Sequence, residues 1–217
     1  EWNSGETLKN ELEVIGFYFS DHPLNHYPKK FFEIQKINFF SELKIDENTK
    51  KIRLCGSVLD IKERSNKDGR KYAFITVSSI KSQFELTIFS ENLYKYRSFL
   101  KEGNLLLFEI EVIRNEQDNR YIIKKIVDFE SLYNKYTKTI NIYASLQILS
   151  DLENELFTTT NKSNEHIYFY ANIDSKLVTL NFNQKYSLKS YILLDNLKKS
   201  KKLDYSIDLT WLIKFFI

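Results

Sequence analysis

The sequence predicts a β-rich α+β fold built around a small closed barrel, and three observations predict it. Between residues 51 and 130 the apolar positions follow a period of two, in short runs rich in Ile, Val, Phe and Tyr, as half-buried strands require. Five such runs are expected, at 51–63, 71–78, 83–89, 104–114 and 120–129. Between the third and fourth, over 90–100, Leu93, Tyr96, Phe99 and Leu100 recur at helical spacing and Gly103 supplies a stop. Five strands with one helix between the third and fourth is the order of an OB barrel.

The flanks differ. Residues 1–48 read as a helical linker segment: Leu8, Leu12 and Ile15 line one face of a helix over 4–14, and Gly16 ends it. Pro23 restricts His22 to extended geometry and argues for a fixed turn, with Gly16, His22 and Pro23 as its structural residues. Pro28 suits the first turn of a second short helix carrying Phe31, Phe32 and Ile34. The barrel occupies 49–131, and a polar connector over 131–138 leads to a small α+β domain at 139–217. In that domain strands are expected at 139–144, 166–173, 176–182 and 205–209, and helices at 146–157 and 191–199.

Composition bounds the function. The 217 residues are 42% hydrophobic, enough for a buried core, and no apolar run approaches the ~20 residues of a membrane helix. No signal peptide opens the chain, so a cytoplasmic protein is expected. The single cysteine, Cys55, rules out an internal disulfide, and its ordinary reading is a small buried apolar residue. The chain starts at Glu1 and contains no methionine, so it reads as a fragment of a longer protein. Net charge is only +3, so any nucleic-acid binding has to come from a local patch.

One such patch stands out. Lys62, Arg64, Lys67, Arg70 and Lys71 place five basic side chains among ten residues, around the loop joining the first two strands. In OB barrels that loop and the face of strands two and three hold the ligand. If strand two turns Ala73, Ile75 and Val77 inward, Tyr72 and Phe74 face outward, where aromatic rings stack on unpaired bases. The alternative reading is a solvated hairpin tip whose aromatics are covered by neighbouring elements.

Other constellations are weaker. His22, His26 and His166 form no metal set, because Pro23 opposes a helix across the first two and a third ligand is missing. There is no Asp-x-Asp pair, phosphate loop or nucleophile elbow, so no catalytic residue is expected. The lysine run at 198–202 follows a helix end, where charge against the dipole and solvation explain it.

Glu13-Val14-Ile15-Gly16-Phe17-Tyr18-Phe19-Ser20-Asp21-His22-Pro23-Leu24 closely resembles the segment before the OB domain in bacterial DNA polymerase III alpha subunits, the C-family replicative polymerases. Trp2 and Glu11 fit its upstream part, and Leu54-Cys55-Gly56-Ser57-Val58 looks like the family's first barrel strand. The stretch from Lys67 to Val77 resembles its basic loop and second strand, and 84–103 its third strand, helix and entry to strand four. Asp21 replaces the usual glycine of the His-Pro turn, and 79–82 lacks the Asp and Gly that shape the turn before strand three. Beyond Thr139 the order of elements suits the family, while the residues match weakly.

The resemblance implies a C-terminal part of a DNA-directed DNA polymerase that binds the single-stranded template through its OB domain. It implies that 139–217 binds the clamp-loader subunit and that the rest of the alpha chain is a partner. Mg2+ and the acidic catalytic residues belong to a palm domain that is absent here, so no cofactor is expected in the fragment. The sliding clamp is reached only through upstream residues not present. Alternative readings are a stand-alone OB module for single strands or tRNA and a decayed, non-catalytic replicase fragment.

Overall fold

In a computed structural model, residues 10–11, 13–14, 18, 20–46, 48–114, 119–159, 165–173, 176–180 and 186–211 are described, the side chains of 152–155 excepted. Much of the expected first helix, Gly16, and the apolar end over 212–217 therefore lie outside the described residues. Two compact units form: Glu1–Asn25 with Phe32–Leu132, and His26–Phe31 with Tyr133–Ile217. Among the described residues no helix is long and apolar enough to cross a membrane.

The first unit is a five-stranded barrel. Its strands are β1 (Lys51–Ser65), β2 (Lys71–Ser79), β3 (Ser82–Phe89), β4 (Leu105–Arg114) and β5 (Asn119–Asp128), closed in the order β1-β2-β3-β5-β4. β1 makes closure possible because it serves two partners. Its first half, Lys51 to Ser57, pairs antiparallel with β4, and its second half, Ser57 to Ser65, pairs with β2. A register shift between Val58 and Asp60 bends the strand where it passes from one to the other. At Gly56 the backbones crowd: a Cβ there would lie 2.2 Å from the Ser78 carbonyl oxygen, so only glycine fits. The barrel closes where β3 and β5 run parallel, Thr87 beside Ile122.

Strand alternation fills the interior. Leu54, Ile75, Leu86, Ile88, Phe108 and Ile110 are all essentially inaccessible, each burial contributing about 1.5–3 kcal/mol. A helix, Ser90–Tyr96, follows β3 and buries Leu93 and Tyr96 in the same core. It is shorter than expected over 90–100. Residues 97–99 form a turn instead, with the Phe99 N–H donating to the Tyr96 carbonyl.

The His-Pro turn is fixed to this barrel. The Leu24 N–H donates to His22 Nδ1 at 3.1 Å, so the ring proton sits on Nε2, which donates to the Ser78 carbonyl at 3.2 Å. Pro23–His26 forms one 3-10 turn. Asp21 accepts bonds from the His22 N–H and the Asn25 amide, so the carboxylate standing in the glycine position stitches the turn together. Tyr18 donates to or accepts from Ser57 Oγ at 2.7 Å and packs edge-on against His22.

The second unit carries a four-stranded mixed sheet, ordered β11 (Asp204–Trp211), β6 (Tyr136–Tyr143), β8 (Glu165–Ile173) and β9 (Lys176–Leu180). β6 and β8 are parallel, and the helix Leu146–Leu156 makes the crossover between them. β7 (Phe157–Thr159) and β10 (Tyr186–Leu188) pair as a small separate ladder. Ile140, Ile142, Phe169, Leu194 and Ile207 form the core with the helix Tyr191–Lys199, which Ser190 caps by accepting the Leu193 N–H. Lys198 lies in that helix's last turn and pairs with Asp204 at 2.6 Å, in keeping with the reading of the lysine run as a helix end.

The connector expectation is corrected as well. The polar connector over 131–138 is instead structured: Phe129–Tyr133 is helical, with Asp128 accepting the Ser131 N–H, and β6 begins at Tyr136. Lys138 disguised the strand. It is only 4% exposed, on the inward side with Tyr136 and Ile140, and its ammonium lies 4.0 Å from the centre of the Tyr133 ring.

Candidate nucleic-acid interface

The hairpin from β1 to β2 is ordered by one side chain. Asn66 Oδ1 accepts the N–H groups of Asp68 and Arg70 at 3.0 and 2.8 Å, and the Asn66 N–H donates to the Arg70 carbonyl. Gly69 takes the left-handed conformation, φ 73°, that this closure needs. Lys67 and Arg70 are thus held at an exposed, defined tip.

Below the tip, strand register arranges the outer face in rungs. Arg64 on β1 lies opposite Tyr72 on β2, which lies opposite Phe89 on β3. The next rung is Lys62, Phe74 and Thr87, and the third is Asp60, Thr76 and Glu85. Ala73, Ile75 and Val77 are fully buried between them, so Tyr72 and Phe74 do face outward, both half-buried. Their rings meet edge-on with centroids 5.5 Å apart, and Tyr72 lies 6.4 Å from Phe89.

The structure therefore brings Lys62, Arg64, Tyr72 and Phe74 onto one surface, with Lys67 and Arg70 at its edge. Lys71 neighbours Tyr72 along the strand and so projects from the opposite side. Phe89 is the residue that sequence reasoning missed: it is 50% exposed and extends the aromatic surface onto a third strand. Its signal was present in the alternation of β3, where Phe84, Leu86 and Ile88 are buried.

Charge on this face is uneven. Lys62 is paired with Asp60 at 3.1 Å, whereas Arg64, Lys67, Arg70 and Lys71 have no carboxylate partner among the described residues. Glu63 leaves the other side of β1 and binds Arg97 beyond the helix Ser90–Tyr96, which removes its charge from the rungs. Arg64, Lys67 and Arg70 beside two half-buried rings and the exposed Phe89 ring can take phosphate and base together.

Cys55 is 1% exposed, and burial pushes its thiol far above the ordinary range, so it stays protonated. Among the described residues no group of three or more His, Cys, Asp or Glu side chains could hold a metal ion.

Closed five-strand topology with a helix between the third and fourth strands defines an OB-type barrel. The chain is similar to bacterial DNA polymerase III alpha subunits: 26% identical over 191 residues to that of Borreliella burgdorferi, covering 84% of this chain and 17% of the relative. To that of Buchnera aphidicola it is 26% identical over 208 residues, covering 95% of this chain and 16% of the relative. These matches bear out the resemblance carried by the His-Pro segment and the barrel. The chain thus spans about a sixth of the length of the curated relatives it matches. No family model matches it.

Among solved structures, it is similar to a mitochondrial single-stranded DNA binding protein from S. cerevisiae, at 15% identity, 36% of this chain, 90% of that one and a TM-score of 0.31. It is likewise similar to the second OB-fold domain of replication protein A from Methanococcus maripaludis, at 19% identity, 43% and 95% coverage and a TM-score of 0.33.

Proposed function

We propose that this chain acts in DNA replication as a non-catalytic, template-holding part of a polymerase III alpha subunit, with the barrel binding single-stranded DNA on the β1-β2-β3 face. Lys62, Arg64, Lys67 and Arg70 take phosphates, Lys71 adds charge from the barrel rim, and Tyr72, Phe74 and Phe89 stack on bases. The observation that carries this reading is the alignment of Arg64, Tyr72 and Phe89 in one rung beside an ordered basic loop. Stacking contributes about 1–3 kcal/mol per base, and the shallow cationic surface limits affinity to the order of micromolar.

The second unit is assigned to partner binding, with the clamp-loader subunit as its partner. Support comes from the similarity to alpha subunits along 84–95% of this chain, which extends past the barrel. Nucleotidyl transfer, its Mg2+ and sliding-clamp attachment are assigned to other parts of the replicase.

The test is joint replacement of Arg64, Lys67, Arg70 and Lys71 by alanine. All four are exposed, so the fold should survive while binding of a labelled oligothymidine is lost. Unchanged affinity would remove the loop from the mechanism. Capture of the clamp-loader subunit by the second unit is tested by pull-down with the full chain, and failure to retain it sinks that assignment.

A further inference from the structure

The outer face changes sign along its length. Its first two rungs carry Arg64 and Lys62 with all three aromatic rings, and the third carries Asp60 and Glu85 on either side of Thr76. Successive rungs are about 7 Å apart, two residues along a strand, and neighbouring strands are about 5 Å apart. Both carboxylates thus stand one rung from Phe74, at about the spacing of one nucleotide. Asp60 is half engaged with Lys62, whereas exposed Glu85 has no cation partner among the described residues.

Resting on the single-strand reading of this face, we propose that Asp60 and Glu85 are specificity-determining residues that close the site at its third rung. A polyanion crossing the face meets attraction at rungs one and two and repulsion at rung three. The strand is therefore confined to the loop end and runs across β1, β2 and β3 instead of along them. About two bases stack, on the Tyr72–Phe89 pair and on Phe74, before the chain leaves over the basic loop. A short footprint follows from the same geometry, because contacts beyond rung two cost Coulomb energy instead of adding to binding.

The experiment is anisotropy of labelled oligothymidines of about 4 to about 16 nucleotides against the full chain and its Glu85→Gln, Asp60→Asn and Glu130→Gln variants. Glu85→Gln should tighten binding about threefold at low salt, the effect of one unit charge some 7 Å away in water, and lengthen the oligomer at which affinity stops rising. Glu130, exposed on the helix Phe129–Tyr133, is the control and should change neither quantity. Asp60→Asn also releases Lys62, so Glu85→Gln decides. Wild-type binding with an unchanged Glu85→Gln affinity and footprint would overturn the boundary and leave the single-strand reading standing. No binding by the wild type to any length would overturn both, and thermal melts of each variant identify any loss of fold.

Discussion

Tyr72 and Phe89 occupy opposed positions on β2 and β3, their ring centroids 6.4 Å apart, and together they make the aromatic floor of the rung headed by Arg64. Phe89 is half exposed, so the barrel core does not depend on it. Phe89→Ala should weaken single-strand binding roughly five- to a hundredfold, the range for losing one stacked base. Its melting temperature should stay near wild type. A variant that binds as the wild type does would place the bases elsewhere.

Gly56 sets how closely β1 and β2 approach. The Ser78 carbonyl and Val77 Cγ1 occupy the space a side chain would need, at 2.2 and 2.4 Å from an added Cβ. Gly56→Ala should therefore destabilise the barrel by about 3 kcal/mol or more, beyond the usual cost of overpacking. Urea unfolding followed by fluorescence checks this, and a midpoint shift corresponding to under about 1 kcal/mol would contradict the close approach.

The turn between β2 and β3 carries a local cost. Ser79 and Ser82 hydroxyls are buried with no hydrogen-bond partner among the described residues, and Lys81 adopts a left-handed φ of 62°. These are the positions where the sequence departs from the alpha-subunit pattern by lacking Asp and Gly. Ser79→Ala removes an unsatisfied hydroxyl and should stabilise the barrel by about 1 kcal/mol. A destabilised variant in thermal melting would show that the hydroxyl is satisfied in solution.

Cys55 gives a clean reporter of barrel opening. Burial holds its thiol protonated and out of reach, so a thiol-reactive dye at pH 8 should label it only as fast as the protein unfolds. Rapid stoichiometric labelling of native protein would contradict the closed barrel.

The barrel was legible in the sequence because β2 and β3 alternate buried and outward positions along most of their length, the other strands are apolar runs bounded by turn residues, and strand ends agree with expectation to within about two residues. Alternation also told which way Tyr72 and Phe74 point, since Ala73, Ile75 and Val77 had to be inside. Phe89 was overlooked because it is the last residue of β3 and abuts Ser90, which opens a helix. The rungs themselves depend on register across three strands, including a bulge near Val58, and no single strand encodes that. β7 and β10 are three residues each, too short to show any period. The charge of Lys138 concealed the start of β6, where the side chain is buried against an aromatic ring instead of solvated.

Binding of labelled single-stranded and duplex DNA at two salt concentrations tests the central claim most directly. With three to five cations facing phosphates, log affinity for the single strand should fall against log salt with a slope between about −2 and −3.5, and duplex should bind more weakly at both concentrations. Equal affinity for duplex, or no binding to either, would contradict a barrel that holds unpaired DNA on its aromatic face.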